Sequence, residues 1–355
     1  MIFYLALFSS VILLSSNVEL KDTRSPRYQS LIFLAFILLL LVFGFRYGFG
    51  IDYASYLGIY DRIGNVWSQE HLEPSFFYLN YFIKSLGGNV YQVIFLSFLV
   101  ALAFLHRTIV KYSDFPEISY LVFFSSGMIF FYSSGIRQAA ALSICFFAFQ
   151  FLLNRQFFRF LATVLFASSF HITALLFIPF YFLSRIKYQQ WLLILGYLAS
   201  LAFIFRPMLI IQVMYPIIEL VYGDRFGNII SEALAGDVKN LGLGLKLIFF
   251  NFITVVVVWR YDDLNATPKG LFLTNLFIIG QIMTNVLGGI PDINRITMYL
   301  TIYNIIFIPY AISRVENSDF RVSMYVFFLC SLILLLIRYL QSDVYGAIPY
   351  RSIFY

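Results

Sequence analysis

Charge is scarce in this chain. Only 12% of its 355 residues are charged and 61% are hydrophobic, whereas a soluble domain carries about 25% charged residues. That deficit excludes an ordinary water-soluble enzyme and points to a helical bundle in lipid. Cysteine is scarcer still. Cys145 and Cys330 both fall inside apolar runs, which leaves no disulfide framework and no thiolate cluster. No grouping of His, Asp and Glu has metal-ligand spacing, so no metal is expected. Walker loops and dinucleotide motifs are missing, so neither ATP drive nor a soluble nucleotide donor is supported, and no cofactor is expected. The net charge of +6 is modest and spread over loops, which leaves no footprint for nucleic acid. Long polar segments, internal repeats and low-complexity tracts are also absent. Residues 1–355 therefore read as a single transmembrane domain. Met1 to Leu14 has neither a basic leader nor a small-residue cleavage site, and reads as a retained first helix.

The sequence does hold a succession of apolar runs. They predict an all-α, polytopic integral membrane helical bundle with about 12 transmembrane segments, some of them short or re-entrant. Lys21, Arg24 and Arg27 put the first loop in the cytoplasm by the positive-inside rule. This makes residues 46–73 and 223–244 external. Met208 to Tyr222 is apolar but reads as interfacial on the outer side. Pro74 to Leu86 is amphipathic, too short to span, and ended by Gly87-Gly88; it reads as re-entrant or interfacial. Residues 160–183 allow two readings. One helix would separate Arg155 and Arg159 from Arg185 and Lys187 across the membrane. Two short helices hinged at Ser168-Ser169-Phe170-His171 keep both basic loops inside and put His171 at an outward apex, and this form is expected.

The chain is organised around Phe45 to Tyr56, where Arg46, Gly48, Gly50, Asp52 and the tyrosines Tyr47, Tyr53 and Tyr56 follow directly on an apolar run. Tyrosine suits that depth, and the glycines permit a bend or a close backbone approach. Arg46 and Asp52 must be paired, solvated or used, since charge beside hydrocarbon is costly. A snorkelling arginine in a tyrosine belt is the plain alternative. On this topology the outer positives are mostly arginine: Arg46, Arg62, Arg137, Arg206, Arg225, Arg295, Arg338 and Arg351, against Lys84, Lys239 and Lys246. The planar arginine fork suits phosphate oxygens, so an outer cluster would fit a lipid-linked diphosphate. Pairing with Asp52, Asp61, Glu73, Asp224 or Asp292 is the competing account. Acids and bases are few. His171 is the one histidine within a membrane segment, flanked by Ser168, Ser169 and Thr173, which could satisfy it locally as a core residue. Glu73 could deprotonate or orient a sugar hydroxyl, or cap the helix after Pro74. Asp52 and Asp292 are alternative bases or ion-pair partners.

Several short motifs, taken in order, resemble the EpsG family of Wzy-like exopolysaccharide and O-antigen polymerases. They are Phe45 to Tyr56, Glu73-Pro74-Ser75-Phe76, Gly135-Ile136-Arg137-Gln138, Phe170-His171-Ile172-Thr173-Ala174, Asn294-Arg295 and Ile348-Pro349-Tyr350-Arg351. The resemblance implies an enzyme of the bacterial cytoplasmic (inner) membrane. It would move a growing glycan from its polyprenyl-diphosphate carrier onto a new lipid-linked repeat unit at the outer face, with a chain-length regulator as a candidate partner. It carries over Arg46, Arg137 and Arg295 as diphosphate binders; Arg225, Arg351, Tyr53 and Gln138 are further candidates for binding the diphosphate or the glycan. His171, Glu73 and Asp52 are the catalytic candidates. Single displacement at the anomeric carbon predicts inversion, and the donor supplies the energy. A lipid-linked oligosaccharide flippase would use the same arginines but needs access from both faces. A glycan ligase would differ only in its acceptor.

Overall fold

The computed structural model describes residues 1–16, 25–64, 72–206, 209–210, 244–290 and 293–354. Among them the chain is helical; the one bridge of extended backbone joins Arg46 to Ser352. Six helices are long and apolar enough to cross a membrane: Pro26–Gly44, Val90–Tyr112, Ile136–Leu153, Pro268–Leu287, Ile293–Ser313 and Ser318–Ser342. The chain is thus a multi-pass helical membrane protein. The expected count of about 12 spans is not met among these residues, because several apolar runs break into pieces shorter than a bilayer. One such break is at Gly127, which has φ 78° and where a Cβ would meet the Tyr339 ring at 2.2 Å. Nearly all of the interfacial segment expected at Met208 to Tyr222, and of the external segment 223–244, lies outside the described residues.

The described residues form two compact units, Met1–Ile178 with Ile305–Tyr355, and Pro179–Asn304. The first unit holds α1 (Ile2–Ser15), α2 (Pro26–Gly44), α3 (Tyr53–Arg62), α4 (Pro74–Ser85) and α5 (Val90–Tyr112). It continues with α6 (Pro116–Ser125), α7 (Met128–Ser134), α8 (Ile136–Phe147), α9 (Phe149–Leu153) and α10 (Phe157–Ser168). Local chemistry fixes the starts of these helices. Ser25 caps α2 ahead of Pro26, and Asn89 with Gln92 forms a complete capping box on α5. Helices α6 and α7 are buried along their whole length. Most of their side chains are apolar, as suits a central helix, with Glu117 and Ser119 in α6 and Ser133 and Ser134 in α7 buried among them.

Stacked rings set the direction of the packing. Phe45 lies on Phe95, Phe43 on Phe98, and Phe36 beside His106, so α2 runs antiparallel to α5. Lys111 reaches Gln150, and Tyr112 meets Phe149, so the far ends of α5 and α9 coincide. The Phe45 motif, the start of α5 and the start of α8 therefore share one end of this unit. The chain end returns there too: Tyr345 O accepts from Gly50 N, Arg351 O from Tyr47 N, and Ile353 N donates to Phe45 O.

In the second unit, helices Gln190–Phe205, Leu245–Trp259 and Pro268–Leu287 meet around an amide cluster. Asn285 donates to Ser200 Oγ (3.0 Å) and Asn251 Oδ1 (2.9 Å) and accepts from Asn251 and Gln281. The buried amides satisfy one another and hold the three helices in one register.

The break expected in residues 160–183 is present. Helix α10 ends at Ser168, and a 3-10 turn, Ile172–Phe177, follows His171.

Candidate active site

The Phe45 motif is held together by its own arginine. Arg46 is 1% exposed. It donates from Nη1 to Phe43 O at 2.7 Å and from Nη2 to Ser133 O, and its guanidinium lies over Phe49 and Phe98 at 5.8 and 5.9 Å. These bonds tie the end of α2 to the turn between α7 and α8. Nε alone lacks a partner. Burial pulls the guanidinium pKa down to about 10, so it stays charged near neutral pH, balanced by carbonyl dipoles and rings rather than by a carboxylate. Gly50 makes this packing possible. Its φ is +110°, and a Cβ there would lie 3.1 Å from both Ser133 O and Ser134 Cα, so the position needs glycine for both conformation and space. Next to it, Asp52 N donates to Ser134 Oγ.

A second constellation forms at the same end, from Glu73, Arg137 and His171. Glu73 is the N-cap residue of α4, but its side chain makes no cap bond. The carboxylate reaches outward instead: Oε2 accepts from Arg137 Nη1 at 2.7 Å, and Oε1 lies 2.7 Å from His171 Nδ1. Burial pushes the Glu73 pKa up, but the His171 hydrogen bond and the Arg137 charge outweigh it and hold the carboxyl down to about 2. A carboxylate can only accept, so Nδ1 carries the proton and donates it, and Nε2 is the ring's other valence. The imidazole side chain is 24% exposed and the Arg137 side chain 29%. Arg137 sits in the first turn of α8, 5.6 Å over the Phe76 ring. One of its five donors holds Glu73, so most of its fork is left for another anion.

The hinge serves to bring His171 here. Ser168 and Ser169 do not satisfy the imidazole, because their hydroxyls donate to Leu165 O and Phe166 O. Ser75 instead binds the hinge twice: its N–H donates to Ser169 O at 2.8 Å, and its hydroxyl lies 2.6 Å from Ser169 Oγ. This two-rung clamp between the start of α4 and the end of α10 carried no signal in sequence beyond a serine in each motif. Tyr56 completes the surroundings. Its hydroxyl accepts from Ile136 N at 3.2 Å. Burial and Asp52 push its pKa up to about 12, against Arg137 and Arg46.

Among the described residues, the ion-pair partners of the Glu73 carboxylate are Arg137 and His171 rather than the others singled out in sequence. Asp52 is half-buried as the N-cap residue of α3, Tyr53 is buried on α3, and Gln138 is buried on α8. Arg351 is exposed on the chain end. Arg295 is half-buried on the 3-10 turn Ile293–Thr297 of the second unit. Arg225, Asp224 and Asp292 lie outside the described residues. Lys84 belongs to the framework: it gives its ammonium to the carbonyls of Tyr60, Asp61 and Ile63 at 2.7–2.9 Å and so closes the end of α3. No group of three or more potential metal ligands occurs among the described residues.

Among known proteins, the family model described as the EpsG family matches residues 30–352, a span that contains Arg46, Glu73, Arg137 and His171. No curated protein and no solved structure gives a match.

Proposed function

The chain belongs to the EpsG family, a Wzy-like polymerase family, and from that premise we propose that it polymerises a bacterial polysaccharide at the outer face of the cytoplasmic membrane. The donor is a growing glycan on polyprenyl diphosphate, and the acceptor is a new lipid-linked repeat unit. The observation that carries this reading is the Glu73–His171 pair with Arg137 on the same carboxylate, at one end of the first unit.

The chemistry is a single displacement. An acceptor hydroxyl attacks the anomeric carbon of the donor, and a new C–O bond forms as the bond to the diphosphate breaks. The electron pair leaves on polyprenyl diphosphate, and the hydroxyl proton passes to His171 Nε2. Attack opposite the leaving group inverts the anomeric centre. Glu73 holds the imidazole through Nδ1 and stabilises the cation that forms, a task for which an ionised carboxylate is suited. The donors of Arg137 not held by Glu73 stabilise charge building on the diphosphate, where a planar fork outperforms a point charge. Arg351 is a further phosphate contact. Arg46 takes a positioning role: its fork binds the backbone that carries Ser133, Ser134 and the start of α8, and thereby sets Arg137.

The test is reconstitution. Purified protein in vesicles, given a lipid-linked repeat unit, should yield a ladder of glycan lengths and release polyprenyl diphosphate in proportion to bonds made. Movement of the lipid between leaflets without new glycosidic bonds would identify a flippase. A single transfer to another acceptor would identify a ligase.

A further inference from the structure

Helix α4 carries Glu73 at its start, and its outer face has a composition that the chemistry above does not use. Four side chains at helical spacing, Phe76, Phe77, Asn80 and Ile83, are buried against the unit. The opposite face shows Tyr78, Tyr81, Phe82 and then Leu86, with exposures from 37% to 86%. No charged side chain lies among these four. The helix's one ammonium, Lys84, turns inward to carbonyls, and the Asn80 amide donates to Phe76 O. Ser85 donates back to Phe82 O.

At 12 residues, α4 is about 18 Å long, too short for a hydrocarbon core of about 30 Å. Both its ends are tied to the same end of the unit. At the start, Glu73 holds Arg137 on the first turn of α8. At the finish, Gly88 O accepts from Tyr60 OH, and the chain enters α5 at Val90. Helix α4 therefore runs across the helix ends rather than along them. Its apolar face also continues past Leu86 into a cavity of about 700 Å³. Phe45 and Phe95, which line that cavity, sit at the end of the membrane-length helix α2 and near the start of the membrane-length helix α5.

We infer that α4 is an interfacial helix, with Tyr78, Tyr81, Phe82 and Leu86 resting on the acyl boundary of the bilayer, and that it fixes Glu73 at the depth of a lipid diphosphate. Exposed tyrosine rings and a leucine, unaccompanied by charge, suit that boundary. A glycan platform would instead surround its rings with hydrogen-bonding side chains, and here the helix spends those inward. The functional half of the inference rests on the polymerase reading; the depth of α4 does not.

Tryptophan placed at Tyr78 or at Phe82, in a chain with Trp67, Trp191 and Trp259 changed to Phe, reads that depth in vesicles. Lipids brominated high on the acyl chain should quench its emission strongly, lipids brominated near the chain end weakly, and acrylamide in the water least. Dominant quenching by acrylamide would overturn the inference and leave a face for water or glycan. Dominant quenching by the deep bromines would also overturn it, making α4 part of a span. If the tryptophan-free chain does not reconstitute, Tyr78→Cys with Cys330→Ser, spin-labelled, gives the same reading from collisions with oxygen against a water-soluble nickel complex. Shallow quenching in a chain that makes no polymer would sink the polymerase reading alone. Water-exposed tryptophans in an active polymerase would sink the interfacial helix alone.

Discussion

Arg46 and Arg137 look alike in sequence: each stands at a helix end, in a short motif with glycine and an aromatic or glutamine neighbour. The fold gives them opposite surroundings. Arg46 is enclosed, and its fork closes on the carbonyls of Phe43 and Ser133. Arg137 is part-exposed, shares a carboxylate with a histidine, and keeps most of its fork. The contrast shows how to read arginine near a bilayer. Carbonyls that have lost their helix partners consume a guanidinium as readily as a phosphate does. A part-exposed arginine on a carboxylate with a second titratable partner is a candidate site, and the proposed function uses it as one.

The largest expected effect comes from removing what the arginine shares. Glu73→Gln keeps size and one acceptor, but loses the charge that stabilises protonated His171 and binds Arg137. Polymer made per inserted protein should fall by on the order of 100-fold or more, with insertion near normal; near-wild-type polymer would erase the distinction between the two regions. Lysine at each arginine sharpens it. Arg137→Lys keeps charge without the fork and should shorten chains about tenfold, whereas Arg46→Lys should lower the yield of folded protein and leave chain length per folded molecule close to normal. Glycan length profiles beside membrane-extract yields separate the two outcomes, and matching profiles would show one shared role.

Smaller effects test the enclosure itself. Arg46→Ala leaves buried carbonyls unpaired at a cost of about 1–3 kcal/mol, visible as a lower thermal midpoint in detergent. Gly50→Ala should cost about 1–3 kcal/mol through its positive φ and crowding. Gly48→Ala, at φ +74° with nothing within 4 Å of the added Cβ, should cost less; equal costs would mean that close approach at Gly50 is unimportant. The smallest effect is on pH dependence. The Glu73 pKa is about 2 when folded against 4.5 ordinarily, so the unfolded chain binds the proton first. Its stabilisation is complete above about pH 5 and is lost as pH falls toward 2. Glu73→Gln should therefore flatten the loss of stability between about pH 5 and about pH 3, and an unchanged slope would contradict the pairing.

Sequence reading reached the helical bundle and the hinge at His171 because each rests on local signals: apolar runs, basic loops and polar residues where they are costly. It left Glu73 open between helix cap and base, and the fold turns that carboxylate away from the cap. It grouped Arg46 with Arg137 because nothing near Arg46 announces Ser133, 87 residues away. The return of the chain end onto Phe45 to Gly50 was equally invisible, since backbone pairing leaves no mark in side-chain type. The described residues hold six membrane-length helices rather than about 12 spans, and apolar composition does not reveal a break such as Gly127, whose close neighbour Tyr339 is remote in sequence.

The central claim is that His171, oriented by Glu73, takes the proton of the acceptor hydroxyl. Asparagine at position 171 keeps a donor and an acceptor but cannot take up a proton near neutral pH. The decisive measurement is therefore the glycan length distribution of a strain whose sole copy is His171→Asn, with the inserted protein quantified alongside. The account predicts normal insertion with single repeat units or markedly short chains. Full-length polymer at normal protein levels would contradict it and remove His171 from the mechanism.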